Sequence, residues 1–353
     1  MKMINMRTKP TLLLIGFMGL FYACDKAPEP TPDFAILKGE VTNAKEDVNL
    51  RVFNPITSKT MMIEVDQDGH FQDTLRLDEP VYFNASYSDV FGVYLQNGFD
   101  LKLKFDSESV NESMVIEGEG AHENEFLRFR TQSTNGLFGE DYRDFLSSEE
   151  SVYKKEMKDL TQKLNARLEE NKSKLSDEFI ASEEDKIEKF VTSIDAQRDE
   201  QLKMNEKVGV GKVSPLFEDY ENYEGGTSSL KDYRGSYVYI DMWATWCVPC
   251  LYEIPFMKEI EESYKDKNIT FLAVSVDNQE DKGKWRQMIE KRELDDGIQL
   301  LADKDMESQF VKDYFIYGIP RFILLDPEGR VVSADAPRPS DDKLKELFNS
   351  LDM

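Results

Sequence analysis

In the stretch DMWATWCVPCLYEIP, residues 241–255, Cys247 and Cys250 stand two residues apart. A pair so spaced can hold a metal, brace the fold or carry electrons. Zinc needs four donors, usually a second cysteine pair or closely spaced histidines. The only histidines are His70 and His122, far away in the chain. A disulfide across a four-residue loop constrains the unfolded chain little, so it braces weakly. Electron transfer is the reading that fits the context. Cys247 directly follows an apolar run that reads as a strand and opens a run that reads as a helix. The unpaired N–H groups and dipole at a helix start stabilise a thiolate. Pro249 suits the first helical turn, where no N–H is needed. Cys250 falls one turn on, facing back toward Cys247, so dithiol and disulfide can interconvert with little backbone motion.

Two acids flank the pair. Asp241, six residues before Cys247, has apolar strand neighbours; an inward-facing carboxyl there has a raised pKa. It could accept the proton of Cys250 when that thiol attacks a mixed disulfide. Glu253, three residues past Cys250, shares its helix face. It reads either as a solvated helical residue or as a second proton-handling group. Trp246 is expected to cover the nucleophile, and Trp243 to be core.

These residues need elements to position them. In residues 210–353, YVYIDMWA and ITFLAVSVD read as buried strands, each close to a helical pattern. RFILLDPEGRVVSADA reads as a hairpin turning at Asp326–Gly329, and DDKLKELFNSL as a closing amphipathic helix. Strands alternating with helices, then a hairpin and a helix, predict a thioredoxin-like α/β domain. Residues 121–209 change period: Tyr153, Met157, Leu160, Leu164 and Leu168, then Ile187, Phe190 and Ile194, recur at helical steps. They predict antiparallel helices that space or support the flanking domains. Residues 33–120 carry short alternating runs punctuated by turns such as Asp68-Gly69 and Asn97-Gly98, the pattern of an antiparallel β-sandwich or barrel.

The N-terminus reads as an address. Lys2, Arg7 and Lys9 precede an apolar run over 11–23, too short to span a bilayer comfortably. Residues 1–23 are expected to be a signal peptide, and 24–32 a Pro-rich acidic tether. FYAC resembles a bacterial lipoprotein cleavage site, with Phe21 where leucine is usual. By that resemblance Cys24 is the lipidated first residue; ordinary secretory cleavage near Ala23 is the alternative. Either leaves an exported chain with one close cysteine pair, which is no disulfide-stapled scaffold. The net charge of −25 excludes a basic footprint for nucleic acid.

WATWCVPCLYEIP resembles the active site of the TlpA/ResA-like branch of the thioredoxin superfamily, and YGIPRFILLDPEGRV resembles its cis-proline loop and hairpin. The resemblance covers residues 210–353. It implies a membrane-anchored thiol-disulfide oxidoreductase of the bacterial envelope, facing the periplasm and needing no cofactor. It implies a cis peptide at Pro320, beside the cysteines, and matches Glu253 to a family glutamate; Asp241 matches the buried aspartate of thioredoxin. Disulfide-bearing envelope proteins are the expected substrates, apocytochrome c among the candidates, with a membrane dithiol as electron donor. Two rivals stand beside it. A peroxiredoxin-like peroxidase asks for proline and a hydroxyl residue where this chain has Ile240 and Ala244. In a non-catalytic lipoprotein, residues 33–205 would bind a ligand and the redox domain would be secondary.

Overall fold

The computed structural model describes residues 31–139, 142–294 and 297–353. The expected signal peptide, Cys24 and the tether up to residue 30 lie outside the described residues. The chain divides into two compact units, one ending at Arg130 and one spanning Thr131–Met353.

The first unit contains β1 (Ala35–Thr42), β2 (Leu50–Asn54), β3 (Lys59–Ile63), β4 (His70–Leu75), β5 (Val81–Ser86), β6 (Val90–Leu95) and β7 (Asp100–Asp106). A short α1 (Val110–Ser113), β8 (Val115–Glu119) and the start of α2 (Ala121–Asn135) complete it. The strands form two four-stranded sheets, ordered β4-β1-β7-β8 and β3-β2-β5-β6. Alternation builds them: Ala35, Leu37 and Val41 of β1 face inward, as do Leu101, Leu103 and Phe105 of β7. Gly39 completes the inward row without a side chain. A Cβ there would lie 1.9 Å from the carbonyl oxygen of Leu103. Pairing is antiparallel except between β1 and β7, which run parallel with Ile36 opposite Asp100. β7 returns to β1 only after β5 and β6 have joined the other sheet, and no local signal specifies the direction of so distant a pair. β6 ends its sheet, and an open edge is a hazard. Asn124 of α2 fills part of it: Nδ2 donates to Tyr94 O and Oδ1 accepts from Tyr94 N, both at 2.8 Å.

The second unit begins with helices α3 (Tyr142–Ser147), α4 (Glu150–Asn171) and α5 (Asp177–Val208). Tyr153, near the start of α4, donates to Asp195 late in α5 at 2.6 Å, so the two long helices run antiparallel. Their stripe buries Tyr153, Met157, Leu164, Leu168, Ile187 and Ile194, leaving Leu160 and Phe190 half-buried. Ion pairs tie these helices to the rest of the unit. Lys207 meets Asp313 at 2.6 Å, and Asp335 takes both Arg143 and Arg321, the latter at 3.0 Å. The single boundary between units therefore falls within α2, and α3–α5 belong with the α/β part.

That part contains β9 (Tyr220–Asn222), β10 (Thr227–Ser228), β11 (Tyr237–Trp243), α6 (Val248–Tyr264), β12 (Ile269–Ser275) and α7 (Lys282–Arg292). β13 (Ile298–Leu301), α8 (Gln309–Asp313), β14 (Arg321–Leu325), β15 (Val331–Ser333) and α9 (Asp342–Asn349) follow. The sheet order is β10-β9-β13-β12-β11-β14-β15, with β13, β12 and β11 parallel and the other pairs antiparallel. This is the expected thioredoxin-like α/β fold. β11 is central and buried on both faces, which is why it reads as an unbroken apolar run. Ile240 and Met242 enter a core with Leu272, Trp285 and Phe310. Tyr239 enters the opposite core with Ile260, Phe322 and Phe348. The two-residue period turns Asp241 to the Tyr239 face, the one that α6 and α9 cover.

Candidate active site

β11 delivers the chain to the cysteines through the short loop Ala244–Cys247. Two neighbours hold that loop. Asp277, fully buried just past β12, accepts from Thr245 N at 2.9 Å and from Thr245 Oγ1 at 2.7 Å. Ser275 Oγ donates to the same carboxylate at 2.7 Å. Val276 N donates to Trp243 O at 2.8 Å, extending the parallel pairing of β11 and β12 one step further. The loop start is thereby fixed to the sheet, and the helix after it inherits that position.

Cys247 is the N-cap of α6, and its Sγ accepts from Cys250 N at 3.1 Å. Pro249 occupies the first turn, where its missing donor costs nothing. Cys247 and Cys250 form a disulfide, with Cα atoms 5.2 Å apart. Both are buried, at 4% and 3% exposure, so exposure does not tell nucleophile from resolver in this state. That distinction rests on the N-cap. Beside the pair the surface is apolar and open: Trp246, Val248 and Tyr252 are all more than half exposed. Trp246 is thus a surface residue next to Cys247, and Trp243 is core.

The Ile319–Pro320 bond is cis. Arg321 pairs with Met242 across β14 and β11, so Pro320 lies one step further toward the cysteine end of β11. Arg321 itself turns away to Asp335.

The two acids part company. Asp241 is 9% exposed, and its Oδ1 has no hydrogen-bond partner among the described residues. Burial pushes its pKa up to about 8, and the nearby carboxylates of Glu261 and Glu253 add to the rise. Such a group exchanges a proton near the range where a thiol does. Glu253 is 2% exposed and fully engaged: Oε2 accepts from Ser340 N at 3.0 Å and Oε1 from Ser340 Oγ at 2.9 Å. It is neither the solvated residue nor an evident partner of Cys250. Cys250, Asp241 and Trp243 border one cleft beneath the helix, so the structure gathers Cys247, Cys250 and Asp241, brings Pro320 alongside, and turns Glu253 to the segment before α9.

Sequence reading passed over Asp277 and Ser340. The signal for Asp277 was present, a carboxylate closing the apolar run ITFLAVSVD beside the cysteine-bearing strand. Ser340 had none, being 87 residues from its partner.

Residues 210–334 match the AhpC/TSA family. The thiol-disulfide oxidoreductase ResA of Bacillus anthracis is 30% identical over 128 residues, 36% of this chain and 69% of that protein. ResA of Bacillus thuringiensis subsp. konkukian is 27% identical over 146 residues, 41% of this chain and 80% of that protein. Among solved structures, the thioredoxin domain of a Bacteroides vulgatus thiol-disulfide oxidoreductase is 32% identical. That likeness covers 40% of this chain and 96% of that one, with a TM-score of 0.36.

Proposed function

Since the chain belongs to the ResA-like thiol-disulfide oxidoreductases, we propose that it reduces disulfides of exported proteins, with Cys247 as nucleophile and Cys250 as resolver. The reaction is balanced in two steps. The Cys247 thiolate attacks one sulfur of a substrate disulfide, expelling the other as a thiolate and forming a mixed disulfide. Cys250 then gives its proton to Asp241 in its ionised form and attacks Cys247 Sγ, expelling the second substrate thiolate. Two electrons reach the substrate, and the protein is left with the Cys247–Cys250 disulfide. A dithiol donor must reduce it again; an exported protein calls for one held in the membrane.

One observation carries this reading: Cys247 caps a helix, and the Cys250 N–H of its first turn is directed at the Cys247 sulfur. A thiolate gains most at that position. The exposed apolar residues around it suit an unfolded or extended polypeptide, and apocytochrome c remains a candidate by family likeness. Export and a lipid on Cys24 rest on the N-terminal pattern, and no described helix is long and apolar enough to cross a membrane. The peroxidase alternative lacks support: Ile240 and Ala244, where it needs proline and a hydroxyl, are fully buried apolar residues.

The test is covalent trapping. Cys250→Ser should accumulate dithiothreitol-releasable adducts with envelope proteins, and Cys247→Ser should trap almost none. Equal trapping by both variants would overturn the assignment. Direction is checked separately by equilibration with glutathione. Val248-Pro249 lacks a histidine to stabilise the thiolate further, so the potential should lie nearer about −270 mV than about −120 mV. A value at the upper end would make the protein an oxidant.

A further inference from the structure

Beneath the active-site helix, α6 and β12 fail to close. Cys250, Ile254, Met257, Glu261 and Lys265 recur at helical steps along one stripe of α6 and border a cleft of about 520 Å³. Opposite them, Ile269, Phe271 and Ala273 project from one face of β12 and are only half-buried, although Leu272 and Val274 on the other face are fully covered. Ala273 is the register partner of Asp241, and its small side chain leaves the room that Asp241 faces. The cleft runs from Cys250 and Asp241 to the exposed, mutually paired Glu262 and Lys265.

Its inner end holds polar atoms with nothing to bind. Asp241 Oδ1, Trp243 Nε1 and Gln299 Oε1 are buried and unpartnered among the described residues, and all three residues line this one cleft. Gln299 Nε2 is already used, donating to Leu294 O at 3.1 Å, so it is the amide oxygen that is free. A buried polar atom left unpaired costs about 1–3 kcal/mol, and three in one place mark a site that something else completes. Water alone suits small polar cavities. This one has walls of Ile254, Met257, Phe271 and Ile298, and its volume falls within the range of small-molecule sites, roughly 300–1,000 Å³.

We propose that this cleft is a binding site for a small neutral molecule with a ring-sized apolar body and a hydroxyl head. The apolar walls take the body. The head must accept from the Trp243 indole N–H and donate to a carbonyl or carboxyl oxygen, and a hydroxyl does both. An anionic head is disfavoured by Asp241, Glu261 and Glu253. An ammonium head would satisfy the two oxygens and leave the indole N–H bare. The site is independent of the direction of electron flow, since it is present in the disulfide form.

The probe is 4-ethylphenol, titrated into the disulfide form of the full chain while the indole N–H resonances of the three tryptophans are followed by NMR. Trp243→Phe assigns the relevant signal. The Trp243 resonance should move and saturate while that of Trp285, buried but not lining the cleft, stays still. Ethylbenzene, lacking the head, should bind at least about fivefold more weakly, and benzylamine no more tightly than 4-ethylphenol. Ala273→Phe and, separately, Ile298→Trp should abolish the shift by filling the cleft; an unmoved Trp285 signal reports that each variant is folded. No saturable shift with 4-ethylphenol, equal affinity for ethylbenzene, tighter binding of benzylamine, or binding retained in both filled variants would each overturn the proposal.

Discussion

The two sides of α6 solve the same problem differently. Toward α9, Glu253 is buried with both oxygens engaged by Ser340, and Ile260 and Tyr264 of the same helix pack with Phe348 of α9 in one closed core. Toward β12, Asp241 is buried with one oxygen unpartnered, beside a cleft. Burial is nearly equal, at 2% and 9% exposure, so burial does not separate them. Partners do. Glu253 has both oxygens hydrogen-bonded, whereas Asp241, with one oxygen unpartnered, keeps its proton up to about pH 8. On the proposed mechanism the same helix has a structural side and a chemical side.

The largest effect that could break this contrast is on stability against pH. The folded pKa of Asp241 is raised from 3.8 to about 8. Between those values the unfolded chain has released a proton that the native state keeps, so stability falls as pH rises and levels off above about pH 8. The loss should be on the order of a few kcal/mol. In urea unfolding of the disulfide form at pH 5 and pH 8.5, Asp241→Asn should remove most of that slope, and Glu253→Gln should leave it in place. An unchanged slope in Asp241→Asn would show that the carboxyl is ionised in the fold, and the chemical side would lose its distinction.

The next effect is kinetic. Loss of a proton acceptor costs about 100-fold or more, so Asp241→Asn should slow resolution of a preformed mixed disulfide by that order near pH 8, where the wild-type carboxyl is ionised. The deficit should shrink at lower pH, where Asp241 already holds its proton, and again well above pH 8, where Cys250 ionises unaided. Glu253→Gln should change the same rate less than about threefold, because its carboxylate is committed to Ser340. Stopped-flow release of a fluorescent thiol reports the step directly. A loss in Glu253→Gln as large as in Asp241→Asn would mean that the acids act together, as their flanking positions in the sequence suggest.

Much of this was legible in the residues, and what was not has a common cause. Cys-x-x-Cys between a strand run and a helix run carries its chemistry locally, because cap, dipole and proline all lie within four residues. The β11 run betrayed its central place by being apolar on both faces, and Asp241 stood out against it. The engagement of Glu253 was hidden because its partner comes from 87 residues away, and periodicity says only which face a residue shares, not what packs on that face. The parallel β1–β7 pair and the Asn124 cap on β6 escaped for the same reason. The boundary inside α2 was hidden because α2 is one continuous helix, and nothing in its amphipathic pattern changes where one unit ends.

The smallest effect sharpens the contrast most. Ser340 holds Glu253 with its backbone N–H and its hydroxyl. Ser340→Ala deletes one of those bonds and keeps the other, so Glu253 Oε1 is left buried and unpaired. The cost should be about 1–3 kcal/mol, the range for leaving a buried polar group unpaired, and should be seen as a lower urea midpoint with an unchanged m-value. If the Ser340 side of α6 is only structural, the resolving rate and its pH profile stay as in the wild type while stability falls. If the profile moves instead, a loosened Glu253 has begun to act on Asp241, whose pKa it already helps to raise. In that case the two sides of the helix are coupled through charge, and Ser340 is what keeps them apart.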